Sequence, residues 1–385
     1  MAYEILRFPY DRTIYADGHL LEPANLWEDY LEAEFKPRAL RVKRDADGLE
    51  YLEIDNKPSI RTSKGSLGLM GAMGEKGIRP SKDRLYMDHI PYGAGDAQQR
   101  VALLDQENLE QSILYPTIGL LWECELTDPQ LTLAYQHAYN RWVADFCRDS
   151  PRLHAVAQLT LLDPEGSAKE LKRAVKDGCI GAFIAPFTHT RKPHGHPDHD
   201  VLFRTCVELA VPIAVHPTFE PGWATPVRFD GFTPGQAGFF YQVIARQGVQ
   251  QALMSFFALG TLERHPQLRV GILESGSGWL GAFLDRADAV FDTYPQGATG
   301  LRMRPSDYFR RQVFVSGDPD ETAAPFTIEH VGADNFMWAT DYPHPDHTGS
   351  WVDALTRFSA VLKEPTRSKV LGENARRIYQ LPAAA

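Results

Sequence analysis

The 385-residue chain predicts an α/β fold of the (β/α)8 barrel class. Two observations carry this. Eight short runs rich in Val, Ile, Leu and Ala recur between stretches of helical periodicity, the order expected of parallel strands joined by crossover helices. Most of these runs are apolar throughout rather than alternating, the pattern of strands covered on both faces. No GxGxxG follows the first run, which removes the open dinucleotide-binding sheet.

Taken in order, the predicted strands are Thr13–His19, Gln111–Pro116, His154–Thr160, Gly181–Pro186, Pro212–His216, Arg269–Glu274, Val313–Ser316 and Phe336–Asp341. Helices are predicted over Leu131–Cys147, Ser167–Lys176, Phe239–Arg264, Leu280–Thr293 and Val352–Leu362, with an amphipathic tail over Arg367–Tyr379. Ser167 followed by Glu170 reads as a capping box at the start of its helix. One barrel domain thus spans residues 1–385. The stretch 23–108, with its Gly- and Met-rich segment Gly65–Gly77, is an insertion over the barrel mouth. A surface excursion or an oligomer contact would account for it, but long ordered loops are more often functional, so a substrate lid is the sharper reading.

The net charge of −10 argues against nucleic acid as the main partner, because phosphate binding needs clustered Lys and Arg. It does not argue against an anionic small molecule. No apolar stretch is long enough for a membrane span, and the amino-terminal segment lacks the pattern of a signal peptide. Cys124, Cys147, Cys179 and Cys206 form no CxxC pair and read as reduced, mostly buried thiols of a cytoplasmic protein.

In a barrel of this class the chemistry sits at the carboxyl ends of the strands. Here the strand ends carry polar groups. The first ends in Asp17-Gly18-His19, with Glu22 beyond; the fifth ends in His216, the sixth in Glu274, the eighth in Asp341 with His344 three residues on. Carboxylates closing apolar runs and facing one another are costly to keep ionised unless a cation joins them. Imidazole with carboxylate suits Zn, Mn, Fe or Co. Asp17 and His19 lie two apart on one strand and therefore share a side, which is the lumen. His19, His216 and Asp341 are the core of the expected metal site. Asp17 is a further ligand or orients His19. Glu22 and Glu274 are ligands, partners of ligands or substrate-binding groups. His344 is a ligand or staples its loop through a ring N–H. Glu22, Glu274 and His344 together would supply a second metal.

Other residues have plainer readings. The run His189–Asp200, HTRKPHGHPDHD, holds four histidines, but its interleaved Pro193, Gly195 and Pro197 mark a solvated rim loop before a metal site. His265 before Pro266 ends a helix. Trp279, Phe187, Phe219 and Trp338 are expected to shape an apolar substrate pocket, with core packing as the competing reading.

At these strand ends the sequence resembles the amidohydrolase superfamily, in the branch around aminocarboxymuconate semialdehyde, resorcylate and carboxyvanillate decarboxylases. The segments that carry the resemblance are YADGHLLEPANLWEDYL, LAVPIAVHPT, LERHPQLRVGILESGSGWL and FMWATDYPHPD, which run from residue 13 to near the carboxyl terminus. The resemblance implies a distorted barrel and one or two divalent ions (Zn, Mn or Fe) per chain. It further implies ligands at Asp17, His19, His216 and Asp341, and often a homodimer. The chain departs from the family in having Asp17 where His or Glu is frequent, Glu274 where strand six often carries His, and no lysine in GAFIAPF.

Three functions follow as alternatives. The first is a hydrolase or non-oxidative decarboxylase of a small aromatic or unsaturated carboxylic acid, with Asp341, His216 and Glu274 as catalytic groups. The second is an oxygen-dependent hydroxylase with a dinuclear non-haem iron centre. The third is a metal-stabilised subunit without activity of its own.

Overall fold

The computed structural model describes residues 3–225, 229–294 and 299–382. All eight predicted strands form, and they join in one parallel sheet in chain order. They are β1 (Thr13–Leu20), β2 (Leu109–Pro116), β3 (Leu153–Gln158), β4 (Gly181–Ile184), β5 (Ile213–Val215), β6 (Val270–Ile272), β7 (Val313–Gly317) and β8 (Phe336–Trp338). Between β8 and β1 the barrel is drawn shut at its mouth, where the His19 N–H donates to the Tyr342 carbonyl at 2.9 Å.

Strand β1 carries a bulge. Its register with β2 steps from Tyr15↔Ser112 to Gly18↔Leu114, one residue more on β1 than on β2. A bulge reverses which alternate residues face inward. Ile14 and Ala16 therefore join the lumen cluster, and yet Asp17 and His19 also point into the barrel one layer higher.

The lumen is filled, as a barrel of eight strands requires. Ile113, Tyr115, Val156, Phe183, Ala214 and Phe314 pack with one another inside it. The carboxyl-terminal segment closes the floor: Ala375, Ile378 and Tyr379 join the same cluster, and the hydroxyls of Tyr379 and Tyr115 meet at 2.9 Å. Gly372 allows this docking, because a Cβ there would lie 2.2 Å from the Arg12 carbonyl.

Some helices start or break elsewhere than predicted. The helix expected from Ser167 begins at Pro164, capped by Asp163, whose carboxylate accepts from the Gly166 N–H at 2.9 Å. Ser167 lies inside it and donates to the Thr160 carbonyl, while Glu170 accepts from Asn140 and Arg173, so the capping-box reading is corrected. The stretch predicted as one helix over Phe239–Arg264 divides into Pro234–Ile244, Arg246–Ala258 and Thr261–Arg264. The last break falls at Gly260, whose φ of +64° a helix does not accommodate. Residues between β1 and β2 hold a small antiparallel sheet, Arg41–Arg44, Glu50–Ile54 and Lys57–Pro58, and a helix over Ala97–Glu107. Among the described residues no helix is long and apolar enough to cross a membrane. All four cysteines are free and buried.

Candidate metal centre

Four strands deliver the inward groups. Asp17 and His19 come from the end of β1, His216 follows β5, and Glu274 and Asp341 sit just beyond β6 and β8. Each histidine is aimed by a backbone carbonyl. His19 Nδ1 lies 2.7 Å from the Pro116 carbonyl, and His216 Nδ1 lies 2.7 Å from the Pro217 carbonyl. A carbonyl only accepts, so Nδ1 carries the proton in both rings, and both Nε2 lone pairs are left for a ligand.

Those lone pairs meet carboxylates. His19 Nε2 is 2.6 Å from Asp341 Oδ1 and 3.8 Å from Asp17 Oδ1. His216 Nε2 is 3.4 Å from Asp17 Oδ1 and 3.2 Å from Glu274 Oε2. All five atoms are buried and none has a hydrogen-bond partner. Buried polar atoms without partners are rare and call for a specific explanation. Five of them converging from four strand ends fit a divalent cation: two imidazole nitrogens and three carboxylate oxygens are a donor set for Mn, Fe or Zn. His19, Asp17 and His216 present ligand atoms within 4.8 Å of one another, as do His19, Glu274, Asp341 and His344.

The electrostatics point the same way. Burial raises the Glu274 carboxyl well above its ordinary value, and Asp341, Asp346 and Asp17 push it further. Burial would raise Asp341 too, but His344 and His19 outweigh it and hold that carboxyl well below the usual range. Burial holds the His19 imidazole below its ordinary value, although Asp341 pulls it up. Two carboxyls in one pocket pushed in opposite directions mark a site with more negative charge than its histidines can balance. Both carboxylates also stand on residues with positive φ, +42° at Glu274 and +60° at Asp341. Non-glycine residues are strained there, and such strain clusters at functional sites.

A second layer holds the first. His344 Nδ1 grips Asp341 Oδ2 at 2.6 Å, and its Nε2 meets the Thr117 hydroxyl at 2.9 Å. The Ser316 hydroxyl donates to Asp17 Oδ2 at 3.3 Å. The Arg100 guanidinium, 1 % exposed, donates to the Gly93 carbonyl at 2.6 Å and to the His19 carbonyl, and lies over the Tyr342 ring. Arg100 carried no signal in the sequence, since nothing in a helix over 97–107 marks one arginine as buried.

Above these groups opens a cavity of about 430 Å³. One wall is apolar and aromatic, with Met70, Leu120, Leu121, Phe219 and Tyr241; the other carries Glu274, Asp318, His344, Asp346 and His347. Burial pushes Asp318 up to about 7, with His347 pulling it the other way. His347 is raised to about 9, because Asp346, Asp341 and Asp318 outweigh its burial. Asp346 and His347 were missed by the sequence reading, although they stand in the same PHPDH run as His344.

Several expected site residues lie elsewhere. Glu22 belongs to the layer beneath the donors: its two oxygens accept from the backbone N–H groups of Thr117, Ile118 and Gly119, at 2.9 to 3.2 Å. It shapes the loop after β2 and is absent from the groups of converging ligand atoms. Of the four aromatics expected in the pocket, only Phe219 lines it. Trp338 faces outward from β8, stacked between Tyr15 and Trp351 at 5.4 and 5.6 Å, while its neighbour Met337 faces the lumen. Trp279 turns its indole N–H to the Ser275 and Gly276 carbonyls and packs on Phe283. Phe187 packs with Cys124 and Ala185. The His189–Asp200 run is folded in rather than solvated: His194 and His199 are buried, and Gly195 is hydrogen-bonded to Ser255 and Thr261. His265 ends its helix as expected, 3.1 Å from Asp200.

A near-closed parallel barrel with a histidine–carboxylate cluster at the carboxyl ends of its strands defines the class: a (β/α)8 enzyme of the amidohydrolase kind. The amidohydrolase family model matches residues 130–381, and the chain belongs to that family. It is 26% identical over 317 residues to a gamma-resorcylate decarboxylase of Rhodococcus jostii, covering 77% of this chain and 91% of that one. Among solved structures, an amidohydrolase from Mycobacterium avium subsp. paratuberculosis superposes with a TM-score of 0.80 at 21% identity, over 96% of this chain and 99% of that one. A 5-carboxyvanillate decarboxylase from Novosphingobium aromaticivorans, solved with bound manganese, does so with a TM-score of 0.68 at 20% identity, over 98% and 100%.

Proposed function

We propose that this chain is a metal-dependent, non-oxidative decarboxylase of a small aromatic carboxylic acid. The observation that carries the reading is the convergence of five partnerless buried atoms, on Asp17, His19, His216, Glu274 and Asp341, beside a cavity with one apolar wall. The decarboxylase relatives supply the reaction class. The oxygen-dependent hydroxylase drawn as an alternative from the sequence gains no support from them.

Asp17, His19, His216 and Asp341 would hold the ion, with Glu274 facing it. Bound there, a divalent cation supplies an electrophile for the substrate carboxylate and a neighbouring oxygen; manganese is the choice suggested by the carboxyvanillate enzyme. The chain's own groups do the rest. Phe219, Leu120 and Met70 offer the ring an apolar wall, which orients it and keeps water from its face. The bond between ring and carboxylate breaks, its electron pair stays on the ring carbon, and a proton must take the place of the departing carbon dioxide. Glu274 is the acid that projects between the donors and the cavity, and we assign it that proton. His344 fixes Asp341 so that this carboxylate does not swing toward the substrate. Segment 23–108 is read as the cover of the mouth. It brings Met70 to the cavity, and its Met73 N–H donates to the Pro343 carbonyl at 3.1 Å. The homodimer implied by the resemblance, and the reducing compartment suggested by four free cysteines, belong to the same reading.

The test is release of carbon dioxide by the chelator-stripped, manganese-reloaded protein from 2,6-dihydroxybenzoate, 5-carboxyvanillate and related hydroxybenzoates. Metal-dependent release that is unchanged when oxygen is removed is expected. A hydroxylated product formed only in oxygen, or no turnover of any such acid by the loaded protein, would overturn the reading.

A further inference from the structure

Asp341 stands beyond the reach of its strand. β8 ends at Trp338, and past it the Ala339 N–H still donates to the Gly317 carbonyl at 3.2 Å. Two residues further on, Asp341 has a φ of +60°, a left-handed conformation that a non-glycine residue keeps only where its surroundings over-determine it. Those surroundings converge on one atom. The Tyr342 N–H donates to Tyr15 Oη at 2.5 Å, and the Tyr15 and Thr340 hydroxyls meet at 2.5 Å. The residues before and after Asp341 are thus tied to a single oxygen on β1, the strand that also carries Asp17 and His19. The His19 N–H, which donates to the Tyr342 carbonyl, joins the same two segments a second time. Tyr15 and Thr340 are both buried, so bulk water does not compete for the hydroxyls.

The bulge in β1 makes this arrangement possible. In a regular strand residues 15, 17 and 19 would share one face. The register step between Tyr15 and Gly18 separates them. Tyr15 stacks on the outward-facing Trp338 at 5.4 Å, while Asp17 and His19 face the donors. Gly18 leaves room for the ring, since a Cβ there would lie 3.1 Å from Tyr15 Cε1. One short strand therefore presents two groups to the ion site from inside and a third to the backbone of Asp341 from outside.

We infer that Tyr15 is a positioning residue of the metal centre: its hydroxyl holds Thr340 and Tyr342 so that the Asp341 carboxylate stays aimed at the point it shares with His19. The inference rests on the metal centre proposed above. The rival account is that the hydroxyl only pairs two buried polar groups and serves stability alone.

Tyr15→Phe removes the oxygen and keeps the ring on Trp338. Manganese affinity of the full-length, chelator-stripped protein can be followed by the six-line electron paramagnetic resonance signal of the free ion. Tyr15→Phe is expected to weaken it by about 10-fold to 100-fold, the scale of losing a group that orients a ligand. The visible absorption of the cobalt-loaded protein should change in band position or intensity, because the ligand field follows the direction of the Asp341 oxygen. Trp351→Phe trims the same outer stack, in which Trp351 lies 5.6 Å from Trp338. It should lower the melting temperature and leave both metal readouts at their parental values. Thr340→Val removes the other hydroxyl and should weaken affinity in the same direction by a smaller factor; it decides the matter if Tyr15→Phe is not recovered folded. Parental affinity and cobalt spectrum in the hydroxyl variants, or an equal shift in Trp351→Phe, would overturn the inference and leave the centre standing. No manganese bound by the wild-type protein would overturn the centre itself.

Discussion

Two histidine-rich regions stand within this one barrel, and they differ in whether their rings converge on a common point. In the run His189–Asp200 the rings are spent on the fold. His189 Nε2 meets the Glu123 carbonyl at 2.8 Å, His194 Nε2 the Ala185 carbonyl at 2.9 Å, and His199 Nδ1 the His194 carbonyl at 2.8 Å. The partners are scattered, and the rings converge on nothing. At the mouth, His19 and His216 use one nitrogen on a carbonyl in the same way, but the other nitrogen is aimed at a point shared with Asp17, Glu274 and Asp341. A count of histidines ranks the loop first. The position of each histidine at the end of a barrel strand ranks the mouth first, and that ranking is the one with a physical basis.

The contrast is most sharply broken at the mouth. His19→Ala or Asp341→Asn is expected to abolish retention of the ion and to lower decarboxylation by at least about 10³-fold, the scale of losing a group that stabilises developing charge. Elemental analysis and carbon dioxide release check both. Equal metal content in His19→Ala and wild type would erase the distinction between the regions.

The loop should instead reveal itself through stability in acid. Burial lowers the His194 pKa from 6.5 to about 4, so the folded chain keeps that ring neutral where the unfolded chain takes up a proton. Stability from His194 is therefore complete above pH 6.5 and lost as pH falls toward 4. The loss is about 3 kcal/mol, from roughly 1.4 kcal/mol per pKa unit. Urea unfolding at pH 7 and pH 4.5 should show a smaller acid penalty for His194→Gln than for the parent. Decarboxylation at neutral pH should stay within about twofold, since distant groups rarely couple.

Glu22 tests the boundary, because it sits near the mouth by position but is spent on backbone like the loop. Glu22→Gln exchanges one acceptor oxygen for a donor facing N–H groups. It should cost about 2 kcal/mol of stability, the scale of a buried group left without its partner, while metal content stays at the parental value. Loss of the ion in this variant would return Glu22 to the donor set. Smallest of all, His196→Ala, at a half-buried loop position, should change unfolding free energy and turnover by less than about 0.5 kcal/mol.

Much of this was legible in the sequence, and the failures have causes. The eight strands could be read because burial on both faces leaves an uninterrupted apolar run. Asp17, His19, His216, Glu274 and Asp341 could be read because a polar group ending such a run has few places to go but the lumen. Trp338 was misjudged because the choice between two adjacent residues depends on the register of a three-residue strand, and Met337 took the inward place. The choice left open at Glu22 was not legible, because a carboxylate that accepts from backbone N–H groups looks, in sequence, like one that binds a metal. The partners of Arg100 are main-chain carbonyls of residues 93 and 19, which leave no trace in side-chain pattern. His194 and His199 were placed in solvent because Pro and Gly between them signal a loop, yet a loop can be packed as firmly as a helix once its rings find carbonyls.

The left-handed backbone at Glu274 and Asp341 has a practical side. Without an ion, Glu274 suffers twice, from its torsion angle and from the crowding of negative charge around it, whereas Asp341 is paired with His19 and His344 and bears the torsion alone. Exchange of Glu274 for glycine relieves both discomforts at once. The metal-free Glu274→Gly protein should therefore melt at higher temperature than its metal-free parent while being catalytically dead. Any directed-evolution campaign that selects this barrel by heat tolerance alone, with no ion in the buffer, would be led steadily away from a working enzyme.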